Sequence, residues 1–376
     1  MKSNTQLRQK SIKKVLNEIR IRGPLAKREL QEITGFSWGN ISSITTELFN
    51  DNYITASGKI ETYVGRRPEA FDINENDNLI IGIDFSTKGV LAVLCDLRGR
   101  VILKTEKLFV KREKAEAFDT LYASVDEILE GAQKRKILYI AIAMQGDVDS
   151  ENGVSIKIRK IADWRNIPVC SILEEKYGIK SVMFHDPDCI LHTEKYYGVL
   201  SDSTVSNALL LSITNHGIGI AALLSGKIYM GNGGKTCEIG NMVIPNSESN
   251  KSEFLQDMFT YDWINKHSGG AGASVVDISQ KAREGSIGAV KTFELLGDAL
   301  GVALNNASYL FNPQKIILFG SFCKHSDLFL EKTKSKLFEL MGDDAPEVAI
   351  SKFDDTAAAI GATLFAADLF VKEFEF

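Results

Sequence analysis

The segment from residue 23 to residue 72 constrains the fold of this 376-residue chain more than any other. Residues 23–30 open a short helix, residues 34–37 supply a Gly-containing turn, and residues 37–50 read as a second helix. Two short amphipathic helices joined in this way are typical of a helix-turn-helix, whose second helix lies in the major groove of DNA. The apolar residues predicted to pack the two helices together are Leu30, Ile33, Ile41, Ile44 and Leu48.

The outward face of the second helix is small and polar, which suits close approach to another surface. The side chains predicted to contact DNA are Ser37, Trp38, Asn40, Ser42, Ser43 and Thr46. Lys27 and Arg28, at the start of the first helix, are predicted to touch the DNA backbone. For Trp38 a place in the core of the head is an equal alternative. For the polar residues the alternative is an ordinary solvated helix surface.

Apolar residues at helical spacing predict one more helix, which precedes the motif. The predicted elements around the motif are a helix over residues 6–21 and short strands over residues 53–55, 61–64 and 70–73, with a turn at residues 57–59. A hairpin beside the recognition helix is a wing, whose tip reaches sugar-phosphate or the minor groove. Arg66 and Arg67 are predicted to make that contact, with solvated charges at a strand end as the alternative.

The sequence predicts a DNA-binding head, residues 1–73, followed by the polar link 74–78 and a larger domain, residues 79–376. The charge distribution agrees with this division. The first 72 residues hold twelve Lys and Arg against eight Asp and Glu, a net charge of +4. Since the whole chain carries −5, the remaining residues carry −9. A basic end on an acidic body favours contact between that end and a polyanion.

Composition places the chain among ordinary globular proteins, with 44% hydrophobic and 25% charged residues. No apolar run approaches the ~20 residues of a membrane span, and the first residues do not read as a signal peptide, so we expect a cytoplasmic protein without membrane contact. The five cysteines are an odd number without a CxxC pair. That spacing argues against a metal knuckle or a disulfide framework and favours reduced, buried thiols.

From residue 79 onward, strand-rich runs alternate with helices, which indicates an α/β fold. Residues 79–94 read as a strand, a polar turn and a second strand, and residues 208–224 repeat this plan. Two lobes that each open with such a hairpin describe a duplicated, actin-like fold, in which each turn can hold a phosphate through backbone N–H groups. Two unrelated surface hairpins are the alternative.

With these features the chain resembles the ROK family, which contains sugar-responsive repressors and sugar kinases. The resemblance covers residue 7 to the C-terminal helix, and the head looks like the repressor branch because the kinases lack it. It implies an actin-like, ribonuclease-H-like domain of the sugar kinase type. Lobe one spans about residues 79–190 and lobe two about residues 191–376, with the C-terminal helix able to return to lobe one.

The resemblance also identifies the turns that hold ATP in the family's kinases. The DxGGTK turn corresponds to Asp84, Ser86, Thr87 and Lys88, with Phe85 and Ser86 in place of the two glycines. The second turn keeps only Gly217 and Gly219, and a glycine pair near the adenosine site keeps only Gly320. Lost glycines hinder close backbone approach to a phosphate, so ATP binding is not expected.

The family's sugar site is altered in the same way. His185 and Asp186 match an Asn-Asp pair whose Asp is the general base in kinases, so Asp186 is the catalytic residue only if this chain is a kinase. Glu238 matches the Glu of the family's Glu-Ile-Gly-His motif, and Asn241 replaces the His of that motif, which binds sugar and zinc. Gln256 replaces a sugar-binding Glu. Residues 245–251 lack the cysteines of a zinc loop, so no zinc is expected.

The sequence therefore predicts a repressor of carbohydrate genes, bound to a double-stranded DNA operator and controlled by a sugar or sugar derivative. Family likeness implies a homodimer or a dimer of dimers. A sugar kinase with an added head is the chief alternative, and a partner-binding module without DNA function is another. The polar pocket residues are, alternatively, ordinary residues of a cleft that has lost its ligand.

Overall fold

The computed structural model describes residues 4–59, 69–201, 204–214, 217–231, 238–246, 251–270 and 274–374. The chain divides into two compact units. Unit one comprises Met1–Cys189 and Thr356–Phe376, and unit two comprises Ile190–Asp355. No helix among these described stretches is both long enough and apolar enough to cross a bilayer.

The head is built from three helices and a three-stranded sheet. Its elements are α1 (Asn4–Arg22), β1 (Leu25–Ala26), α2 (Lys27–Thr34), α3 (Trp38–Asn50), β2 (Ile54–Lys59) and β3 (Glu69–Ile73). Gly35 ends α2 in the left-handed conformation that its missing side chain permits. Ile41, Ile44 and Leu48 of α3 are fully buried, because their spacing places them on one helix face. The predicted helix-turn-helix is confirmed.

Two predicted details of the head are wrong. The first helix of the motif begins at Lys27 instead of Gly23, because Leu25 and Ala26 pair with Phe71 and Ala70 of β3. The predicted turn at residues 57–59 is part of β2, which pairs antiparallel with β3 in the order β1-β3-β2. A register shift between Ala56 and Lys59 accommodates the residues that looked like a turn. The strand predicted at residues 61–64 lies outside the described residues.

Lobe one, in unit one, is a mixed five-stranded sheet with helices packed against it. Its elements are β4 (Leu79–Ser86), β5 (Gly89–Cys95), β6 (Val101–Leu108), α4 (Lys114–Ala132), β7 (Ile137–Met144), β8 (Asp147–Asp149), β9 (Val154–Lys157), β10 (Arg165–Ile167), α5 (Val169–Tyr177), β11 (Ser181–His185) and the start of α6 (Asp186–Tyr197). The strand order is β11-β7-β4-β5-β6. The β4–β5 and β5–β6 pairs are antiparallel, whereas β4–β7 and β7–β11 are parallel.

Lobe two, in unit two, repeats this topology. Its elements are β12 (Ala208–Thr214), β13 (Gly217–Leu224), β14 (Lys227–Ile228), β15 (Val243–Asn246), β16 (Lys251–Phe254), α7 (Leu255–Met258), α8 (Tyr261–Ser268), α9 (Val275–Arg283), α10 (Ile287–Phe311), β17 (Lys315–Phe319), α11 (Ser326–Met341) and β18 (Glu347–Ile350). The order β14-β13-β12-β17-β18 has the same antiparallel and parallel pairs in the same places. The duplication predicted from two hairpins is confirmed.

The last helix, α12 (Ala357–Glu373), packs on lobe one against β4, β5 and β7. It also contacts the head. Its Asp368 forms an ion pair with Arg20 of α1, whose side chain is almost wholly buried. Tyr53 packs on Phe370 and Phe374, with ring centroids 5.8 and 4.9 Å apart.

A second junction joins the head to the turn between β5 and β6. The Arg98 guanidinium donates to Ile19 O at 2.7 Å and to Arg20 O at 2.9 Å, which caps the last turn of α1. It also forms an ion pair with Asp72 of β3. Since these groups are nearly buried, the pair is shielded from solvent. The head therefore rests on lobe one through charged groups as well as through aromatic rings.

The polar link between head and lobe one is itself tied down. The side-chain amides of Asn74 and Asn78 donate to Asn52 O of the head at 3.0 and 3.1 Å. Asp77 accepts a bond from Lys136 N of lobe one at 3.0 Å. A link with this many fixed polar groups is not a free tether.

Candidate functional site

The recognition helix α3 exposes its small polar face, as the sequence predicted. Trp38 is 55% exposed, and Ser43 and Thr46 are exposed beside it. Ser37 is the N-cap, since its Oγ accepts the Asn40 N–H at 3.3 Å. The Ser37 hydroxyl therefore stabilises the N-terminus of α3. The contacts of the polar face with base edges stay a prediction.

The predicted basic contacts lie on the neighbouring helix. Lys27 Nζ donates to Ser42 Oγ at 3.2 Å and lies 5.6 Å from the centre of the Phe71 ring. Arg28 is strongly exposed and pairs with Glu32 of the same helix at 3.3 Å. Lys27 therefore sits at the edge of α3, and Arg28 points outward. Arg66 and Arg67 lie outside the described residues, so their phosphate contact stays a prediction.

One cation beside α3 was missed. Arg8 of α1 donates to Ser43 Oγ at 3.2 Å and forms an ion pair with Glu47. Helical spacing put Arg8 on the polar face of α1, but nothing in the sequence pairs it with a residue almost forty positions away. Its position depends on the packing of α1 across α3.

In lobe one, the residues proposed for the effector lie at the carboxyl edge of the sheet, where His185 ends β11 and Asp186 begins α6. Burial raises the pKa of Asp186 well above its usual value, and the nearby carboxylates of Asp84 and Asp188 raise it further. Burial lowers the pKa of His185 to about 4, although Asp147 opposes this. These shifts disfavour the charged form of each side chain, and the uncharged forms suit hydrogen bonds to hydroxyl groups.

The phosphate turn of lobe one carries its own internal hydrogen bonds. Thr87 N donates to Gln145 Oε1 at 2.7 Å, and Lys88 N donates to Ser86 Oγ at 3.3 Å. Backbone N–H groups of such a turn would otherwise bind phosphate oxygens. Phe85 is fully buried and packs on Trp164 with ring centroids 5.0 Å apart. Two backbone N–H groups of the turn are therefore bonded to side chains of this chain, and the part played by Gln145 was not predicted from the sequence.

In lobe two, the three predicted effector residues form a chain of hydrogen bonds. Gln256 Nε2 donates to Asn241 Oδ1 at 2.9 Å, and Asn241 Nδ2 donates to Glu238 Oε2 at 3.2 Å. Asn241 ends a short 3-10 turn, Ile239–Asn241, and Gln256 lies in the first turn of α7. These hydrogen bonds orient the side-chain amides of Gln256 and Asn241. As a result, Oε1 of Gln256 lies near Gly240. The set offers fixed acceptors and donors to a polyol.

The glycines that match the family's nucleotide-binding motifs lie in or beside strands of lobe two. Gly217 and Gly219 lie in β13, opposite Thr214 and Ser212 of β12. Gly320 follows β17 with φ +106°, and a Cβ there would lie 2.4 Å from Ile213 O. The positive φ and the close approach of Ile213 O together account for Gly320 without a nucleotide.

Metal binding was not expected from the sequence. Among the described residues no three His, Cys, Asp or Glu side chains are grouped so as to hold a metal ion. The segment where the family's zinc loop would lie includes residues 247–250, which are outside the described part. The absence of zinc therefore stays a prediction.

The ROK family model matches residues 80–369. The chain is 23% identical over 379 residues to the xylose repressor of Bacillus subtilis (strain 168), across 96% of this chain and 95% of that protein. The match therefore includes the head as well as both lobes.

Two solved structures show the same architecture. A ROK family transcriptional regulator, a homologue of the Escherichia coli Mlc protein, aligns with a TM-score of 0.81 at 21% identity and covers 97% of both chains. A ROK family glucokinase from Streptomyces griseus, in complex with glucose and AMPPNP, aligns with a TM-score of 0.63 at 19% identity. It covers 78% of this chain and 99% of the kinase. These likenesses confirm the predicted fold class, an α/β actin-like domain behind a winged helix-turn-helix.

Proposed function

The chain belongs to the ROK family, and from that membership we propose that it is a DNA-binding transcriptional repressor of carbohydrate genes, controlled by a sugar. The observation that carries the proposal is the helix-turn-helix head, whose recognition helix exposes a small polar face. The match to a repressor along nearly the whole chain supports the same reading.

The hydrogen bonds made by the phosphate turn of lobe one favour ligand sensing over phosphoryl transfer. Transfer from ATP needs backbone donors aimed at the phosphates. In lobe one, Thr87 N and Lys88 N are bonded to side chains instead. Burial and the nearby carboxylates also raise the pKa of Asp186, which disfavours the ionised form that a general base requires.

The effector residues that we propose are His185 and Asp186 in lobe one and Glu238, Asn241 and Gln256 in lobe two. The ligand is a neutral sugar, because hydrogen-bonding groups without a cation supply the recognition. Sugar and operator would each favour a different arrangement of the subunits, so each weakens binding of the other by the same factor. A homodimer would present two heads to a palindromic operator.

Fluorescence anisotropy with DNA from upstream of the chain's own gene tests the proposal. We expect salt-sensitive binding that weakens about tenfold or more at saturating effector, which is at least ~1.4 kcal/mol of coupling. The panel begins with xylose, the sugar in the relative's name, and includes other pentoses, hexoses and amino sugars. Salt-insensitive or undetectable DNA binding would favour the partner-binding alternative instead.

Two further measurements separate sensor from kinase. Asn241→Ala and Gln256→Ala are expected to abolish the sugar response and leave operator affinity unchanged. A coupled ATPase assay with the same sugars is expected to show no turnover. Sugar-dependent turnover that Asp186→Asn abolishes would establish the kinase alternative. Light scattering of the free chain checks the dimer.

A further inference from the structure

The recognition helix carries an unusual charge for a surface that meets DNA. Between Trp38 and Asn50 the only ionisable side chain is Glu47, so α3 itself is negative. Phosphates repel a carboxylate at the groove, and no cation of α3 offsets it. The compensating charge has to come from another element.

Arg8 of α1 supplies that charge. Its guanidinium forms an ion pair with Glu47 and donates to Ser43 Oγ at 3.2 Å, and Ser43 Oγ lies 3.4 Å from Glu47 Oε1. The three side chains form one cluster across two helices. The side chains of Arg8 and Glu47 are 43% and 34% exposed, so the cluster is accessible to solvent, and it includes Ser43, a predicted DNA contact.

We propose that Arg8 is a positioning residue of the DNA-binding surface, because it neutralises Glu47 and holds the Ser43 hydroxyl, so that α3 can enter the groove. This inference rests on the proposed DNA-binding function. It assigns to α1 a part in DNA binding that lies outside the two helices of the motif. The surface is thus composite, with Arg8 on one side of α3 and Lys27, bonded to Ser42, on the other.

A double-mutant cycle tests the assignment, with operator affinity as the readout. Arg8→Ala is expected to weaken operator binding about tenfold, because Glu47 is left unpaired against phosphates. In the Glu47→Gln background the same change is expected to cost less than about twofold. Arg8→Lys keeps the charge but loses the forked donor geometry, and it is expected to fall between these values.

The controls separate this role from net charge and from misfolding. Arg283→Ala breaks an exposed pair with Asp327 in lobe two, removes the same charge, and should leave operator affinity unchanged. The melting temperature of Arg8→Ala should stay within about 2 °C of the wild type, because an exposed pair contributes little to folding. An equal loss in both Glu47 backgrounds, or no loss, overturns the inference while the repressor proposal stands. No salt-sensitive binding by the wild type overturns both.

Discussion

Asp188 is a carboxylic acid in an environment that disfavours its ionised form. It is fully buried, and neither carboxyl oxygen has a hydrogen-bond partner in the described structure. Burial raises its pKa to about 8. Because the folded pKa exceeds the unfolded value of about 3.9, the folded chain binds more protons between these values, and stability falls as pH rises through that window. Asp188→Asn should therefore raise the free energy of unfolding by on the order of a few kcal/mol at pH 8.5 and much less at pH 5.

Urea denaturation at pH 5, 7 and 8.5 measures this pH dependence. Asp149→Asn is the matched control, since Asp149 is only partly buried, accepts a hydrogen bond from Asn152 Nδ2, and has a lowered pKa. That variant should gain no stability at high pH. A loss of stability in Asp188→Asn that is the same at all three pH values would show that the buried carboxyl is not protonated in the folded chain.

At the scale of the element, α12 is fixed by close packing against the first turn of α6. A Cβ on Gly361 would lie 1.8 Å from Cys189 O and 2.4 Å from its carbonyl carbon. Both obstacles are backbone, so Gly361→Ala must displace a helix and should cost roughly 1–3 kcal/mol. Gly39→Ala in α3 is the control, because nothing lies within 4 Å of its Cβ position. There the better helix propensity of Ala should add up to about 1 kcal/mol in the same urea titration. Equal effects of the two substitutions would contradict the close contact.

Sequence patterns predicted the helices and hairpins that are formed by residues close together in the chain. The apolar spacing of α1 and α3 predicted their existence, and the paired hairpins predicted both large sheets. The two-residue strand β1 could not be found in this way, because only its pairing with Phe71 and Ala70 defines it. The side chain of Gln145 was missed for the same reason, since it bonds a turn 58 positions away. The altered DxGGTK motif predicted that the turn of lobe one does not bind phosphate. Only the folded structure shows which side chains accept hydrogen bonds from the N–H groups of that turn.

At the scale of the whole molecule, the head and lobe one belong to the same compact unit, and we expect them to move together. Both lie in unit one, and Arg98, Arg20 and Tyr53 join them at separate points. The link is bonded at both ends as well. A signal from lobe one would then reach DNA by moving the head together with that lobe, without a hinge at residues 74–78.

This arrangement predicts how the head exchanges its amide hydrogens. In the wild type, the amides of α1 and β3 should be protected about as well as those of β4 and β5, because the two parts open together. Arg98→Ala removes the cap from Ile19 O and Arg20 O and leaves Asp72 with Arg100, 3.4 Å away, as its remaining ion-pair partner among the described residues. Because Asp72 keeps Arg100 as a partner, the loss should be smaller than the ~3–5 kcal/mol that an unpaired buried charge costs. The head should still exchange faster than lobe one and become open to proteolysis at residues 74–78. Arg283→Ala, which breaks an exposed pair, should change neither readout. A head that already exchanges independently in the wild type would mean that the junction does not couple it to lobe one.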